Sequence, residues 1–278
     1  MKLSHVWSIL QAKLSHVQAI VRAEIVWSMR KRKFQLLLLA VLAAATFTLI
    51  FPSLISTFGL PQSLLESLTR ELPKVIPASL ENWAYIVLFR IQAILWILFI
   101  FMAMDSVAGE FEQETIAPLL AKPVSRKEVL LGKYIASIIM VIAILLFVIV
   151  YAVTGAWLLY GGQTMINNMF VLLLSFVYVI LPFLAIAILL GVISRSTIVT
   201  GLGTFMLYFG FNGIQAMIFT GLGMEDSLIA KAFLGWSMKL PIYVINGSPN
   251  VLPAIGIIAV YTLVALAASL VYFKRADI

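Results

Sequence analysis

The chain has no cysteine, which excludes disulfides, thiolate metal sites and a catalytic thiol. It is also short of charge. Of its 278 residues, 11% are Asp, Glu, Lys or Arg, 63% are hydrophobic, and the mean hydropathy is +1.08. A water-facing surface on a chain of this size needs far more polar side chains, so the composition defines an integral membrane protein. Signatures of chemistry are missing too. There is no G-x-x-x-x-G-K-[ST] phosphate cradle, no H-E-x-x-H and no G-x-S-x-G. The acidic residues all fall outside the long apolar segments. Proton- or sodium-coupled carriers and intramembrane aspartyl or metal enzymes normally need such groups at bilayer depth, so both classes are disfavoured. The N-terminus lacks the charged, apolar and cleavage-site order of a removable signal, so the first span is expected to stay.

What is present is a series of six apolar stretches, at 34–55, 83–104, 134–160, 169–193, 197–220 and 251–273. Each is close to the ~20 residues needed to cross a hydrocarbon core. The pattern predicts an all-α membrane protein with a single transmembrane domain over 1–278. The net charge of +7 sits at span ends, as topology signals do, and not on one groove-sized face, so no nucleic-acid partner is expected. With the N-terminus inside, the inner segments collect the basic run Arg30–Lys33, Lys122, Arg126, Lys127, Lys133, Arg195, Lys274 and Arg275. The outer ones hold only Arg70, Lys74, Lys231 and Lys239. That asymmetry predicts both termini on the cytoplasmic side.

Residues 1–33 are too polar to span but keep a helical apolar stripe at Val6, Leu10, Leu14, Val17, Val21 and Ile25. Leu3-Ser4-His5-Val6 returns as Leu14-Ser15-His16-Val17, an 11-residue step that points both copies the same way. Lys13 and Glu24 intrude on the apolar side. The expectation is a helix lying in the cytoplasmic interface. On the outer side, Ser63 to Glu66 reads as a capping box opening a short amphipathic helix, and the helix around 227–236 as a plug or rim. The scattered Met and Phe read as lipid-facing or packing residues, not a copper relay.

The remaining charged stretch, 105–133, lies between the second and third spans. Within it, Ile116, Leu119 and Leu120 fall at i, i+3 and i+4 of a short helix over 115–121, which gives one greasy face. Pro118 fits if it lies within the first turn. Ser125 and Glu128 form a second capping box, opening a helix that runs through Gly132-Lys133 into the third span. A greasy knob on the charged side of a membrane suits docking to a soluble partner.

These residues carry a resemblance. The run GE-x-E-x-x-T-I-x-x-LL-x-x-PVSR-x-E-x-LLGK, matched by Gly109, Glu110, Thr115, Leu119, Leu120, Pro123, Val124, Ser125, Arg126, Glu128, Leu131, Gly132 and Lys133, resembles the cytoplasmic loop of ABC-2 type permeases. One departure is Glu114, where that family usually carries Gly. The span layout agrees over essentially the whole chain. The resemblance implies a type V exporter-like permease of the cell membrane, working as a homo- or heterodimer with two separate ATPase subunits. These would bind the ATP and Mg, leaving no cofactor in this chain. It further implies that a groove on each ATPase receives Ile116, Leu119 and Leu120, with Thr115 and Pro123 shaping the knob and Glu110, Arg126 and Glu128 in charged contacts around it. The E-A-A importer signature is absent, so export is favoured. Relatives move lipids, drugs, peptides, glycans and metal-cluster precursors.

Two features bear on a path. Arg90 is the one charge inside a span, either snorkelling outward or lining a cavity for an anionic or polar group. Thr200, Thr204, Tyr208, Asn212 and Gln215 make one polar stripe along the fifth span, either for helix–helix hydrogen bonding or as a wall of the translocation path. By the resemblance, spans two and five meet at the dimer centre. Two rival readings stay open: a stand-alone secondary carrier, and a membrane enzyme or scaffold.

Overall fold

A computed structural model describes residues 2–58, 61, 63, 80–115, 124–163, 168–224 and 227–275. The described residues are helical throughout, without a strand. The N-terminal helix α1 (Lys2–Arg30) breaks at Lys31, and α2 (Arg32–Phe58) follows. A 3-10 turn (Leu80–Asn82) leads into α3 (Trp83–Glu112); α4 (Arg126–Tyr160) and α5 (Met169–Ser194) come next. Helix α6 (Thr197–Ile214) continues as a π-helical segment, Gln215–Thr220. The short helices α7 (Leu228–Ala232), α8 (Leu234–Ser237) and α9 (Leu240–Ile245) precede the last helix, α10 (Val251–Arg275). Six of these helices, α2 to α6 and α10, are long and apolar enough to cross a membrane. Residues 64–66 of the capping box expected at 63–66 lie outside the described residues.

Helices α3 and α5 form the centre. Their side chains Trp83, Tyr85, Trp96, Phe99 and Phe183 are almost wholly buried. Helix α3 packs on α2, α4, α5 and α6, while α5 takes the long contact with α10. Aromatic edges fill the junctions: Trp96 meets Phe176 at 6.2 Å, and Phe183 meets Tyr208 at 5.4 Å. At one end, the Trp83 indole N–H donates to the Thr48 carbonyl at 2.9 Å, and the Gln163 side-chain oxygen accepts from the Ala84 N–H at 3.1 Å. These bonds satisfy polar groups that lipid would leave stranded.

Helix α3 outruns the apolar segment 83–104 by two turns. Asp105 to Gly109 are buried and continue the helix, because protein and not solvent surrounds them. Only 113–125 separates α3 from α4. The helix α1 lies against the start of α4 and touches α2 near the elbow. Near the other end of α6, a Cβ at Gly235 would collide with the Phe211 carbonyl oxygen. Glycine is what lets α8 sit directly on α6.

Candidate functional site

The site is built from the two helix ends that flank residues 116–123. Helix α3 closes in a Schellman motif. The Thr115 N–H donates to the Glu110 carbonyl at 3.0 Å, and the Glu114 N–H to the Phe111 carbonyl at 3.2 Å. Such an ending needs its C′ residue in the left-handed region, and Glu114 has φ 54°. The departure from the resembled loop pattern at Glu114 therefore falls on a strained residue. Thr115 adds its hydroxyl, 3.4 Å from the Glu110 carbonyl. On the other side, α4 opens with the expected capping box. The Glu128 N–H donates to Ser125 Oγ at 3.3 Å, and the Ser125 N–H to Glu128 Oε2 at 3.0 Å. The knob residues Ile116, Leu119, Leu120 and Pro123 lie outside the described residues.

Behind these two mounts sits a buried ion cluster. Lys133, 1% exposed, donates to Glu24 of α1 at 2.9 Å, to Glu110 of α3 at 2.7 Å, and to the Ser106 carbonyl. An ammonium this deep requires such partners, because taking it out of water costs several kcal/mol. Glu24, which intruded on the apolar stripe of the N-terminal segment, is therefore the acidic residue that α1 turns toward the bundle. Gly132 beside it allows the approach, since a Cβ there would stand 2.8 Å from Ile20 Cγ2. At the elbow, Lys31 donates to Asp105 at 3.2 Å and lies 3.1 Å from the Trp27 ring centroid. Burial lowers the Lys31 pKa, with Asp105 opposing that shift. Lys33 approaches the other Asp105 oxygen at 3.9 Å.

The remaining sequence-derived residues fall as follows. Arg126 Nη1 donates to the carbonyls of Phe273 and Lys274 at 2.8 and 3.2 Å. His16 Nδ1 lies 3.7 Å from the capping carboxylate of Glu128. Arg90 is half-buried on α3. Thr204, Tyr208 and Gln215 are buried, and Asn212 is half-buried. The Thr204 hydroxyl donates to the Thr200 carbonyl at 2.8 Å, and the Asn212 amide to the Tyr208 carbonyl at 3.0 Å. Neither amide atom of Gln215 has a partner among the described residues. The stripe thus faces α3 and α5, while Ile198, Leu202 and Met206 turn outward. Sequence reasoning missed the pairs Lys31–Asp105 and Glu112–Thr197. The run of basic residues at the elbow was the only signal for the first, and nothing marked the second.

Six helices long and apolar enough to cross a membrane, with a buried ion cluster at the mouth of a short inter-helix loop, define an all-α membrane protein. The sequence pattern of the family described as ABC-2 family transporter protein matches residues 18–278. The chain belongs to that family. No curated protein matches the chain.

Proposed function

We propose that this permease is driven by a separate ATPase, which grips residues 116–123 and pushes on the two helix ends that carry them. The supporting observation is how firmly the two flanking helix ends are closed. A Schellman motif closes one side and a capping box the other, so a load on the loop passes into α3 and α4 without fraying either end. The apolar face of Ile116, Leu119 and Leu120 would fill the ATPase groove, with ATP and Mg held by that partner. Two permease copies, or one with a paralogue, would work with two ATPases. Both termini would face the cytoplasm, and closure of the ATPases would change which side the cavity between the permeases opens to. The substrate would pass near Arg90 and the Thr204, Tyr208, Asn212 and Gln215 stripe, outward across the cell membrane. Lipid-like molecules, drugs, peptides and glycans are the candidate classes.

The test is co-purification. The permease should bring a Walker-motif subunit out of its native membrane, and Leu120→Asp should release it while the permease still inserts. A Leu120→Asp permease that keeps the ATPase bound and coupled would remove the docking reading.

A further inference from the structure

We infer that Glu112 and Arg126 are positioning residues that carry the loop's movement to α6 and α10, two helices that the loop does not join in sequence. This rests on the ATPase-driven reading above.

The chemistry of the two arms is matched. Glu112 ends α3 and grips the first residue of α6: Oε1 accepts from the Thr197 N–H at 2.7 Å, and Oε2 from the Thr197 hydroxyl at 2.8 Å. A carboxylate is placed where the N–H groups of a helix N-terminus are unpaired and its dipole is positive. Arg126 begins α4 and grips the last turn of α10, donating to the Phe273 and Lys274 carbonyls. There a guanidinium meets the negative end of a helix dipole and carbonyls that lack helical partners. Each arm therefore holds its helix through the end of opposite charge, and each helix is held at its terminus, where a lateral push has the longest lever.

Rings brace the same corner. Phe273 meets Phe111 of α3 edge-on at 6.3 Å. Arg126 lies 6.0 Å from the Phe273 ring, and Arg195, in the turn between α5 and α6, lies 5.3 Å from the Phe111 ring. Loop ends, α6 and α10 thus share one connected contact. Arg126 in this arrangement is bonded to α10 of its own chain. The helix α6 carries the polar stripe, so the Glu112 arm would move the candidate path directly.

The absence of cysteine makes the test direct. Spin labels go at exposed Lys127 and Arg275 for the Arg126 arm, and at exposed Gln113 and Ile198 for the Glu112 arm. The permease–ATPase complex is measured without nucleotide and after trapping with ATP and vanadate, diluted with unlabelled permease. With Arg126 and Glu112 intact, both separations should stay the same and narrow in the two states. In Arg126→Gln the 127–275 distribution, and in Glu112→Ala the 113–198 distribution, should broaden and shift on trapping, with the ATPase still bound. Arg126→Lys, which keeps one donor to the carbonyls, should restore part of the narrow distribution. Separations that change on trapping with both residues intact would overturn the inference. So would variants indistinguishable from the parent, or variants that lose the ATPase, which would assign these residues to docking. Failure of the unmodified permease to bind any ATPase would instead sink the reading beneath it.

Discussion

Lys133 Nζ lies 2.9 Å from Glu24 and 2.7 Å from Glu110, so one ammonium on α4 ties the N-terminal helix to α3. Removing it leaves two carboxylates without their counter-charge in a buried site. Lys133→Met should cost about 3–5 kcal/mol, the range for breaking a buried ion pair from one side. Thermal unfolding in detergent should show the loss. Adding Glu24→Gln and Glu110→Gln removes the unpaired charges and should recover most of it. A single Lys133→Met variant as stable as the parent would contradict the cluster's structural role.

Gly132 sets how closely α1 can lie on α4. Gly132→Leu should lift α1 away and expose its backbone to hydrogen exchange over residues 15–30. Ile20→Ala in the same chain should bring protection back, because the Ile20 side chain is what the new group meets. If Ile20→Ala gives no recovery, that contact is not what limits the approach.

Glu114 holds a left-handed conformation at the close of α3. Glu114→Gly should slow exchange of the Glu114 and Thr115 amides, with a gain of about 1 kcal/mol in local stability from relieved strain. Glu114→Val, branched at Cβ, should do the reverse. Equal exchange in all three forms would mean that the Schellman closure does not persist in solution.

The polar stripe of α6 separates two roles. Thr204 bonds its own helix, so Thr204→Val should change stability by less than about 1 kcal/mol. Gln215 has no partner for either amide atom among the described residues, so Gln215→Leu should stabilise the protein if the stripe serves packing alone. A Gln215→Leu permease that is more stable yet fails to couple ATP hydrolysis would favour the path role. One that is more stable and fully coupled would favour packing.

Much of this was legible in the chain. Hydropathy marked the six crossing helices, and the Ser125–Glu128 spacing marked the start of α4, because each is local. Glu24 was visible as an oddity, an acid on an apolar stripe, but its partner stands 109 residues away and no local pattern points to it. The same holds for Lys31 with Asp105, and for Glu112 with Thr197, 85 residues apart. The end of α3 lies beyond what hydropathy marked, because Asp105 and Glu110 make the stretch polar in sequence while residues 105–109 are buried in the bundle. The gap between polar sequence and buried helix is where the site lies.

The most direct measurement is the composition of the assembly purified from its native membrane by a tag on this chain, for the parent and for Leu119→Asp. A Walker-motif ATPase should accompany the parent and be missing from a Leu119→Asp permease that is present in the membrane at normal abundance. An ATPase retained by Leu119→Asp, or none bound to the parent, would contradict the claim that this loop receives the drive.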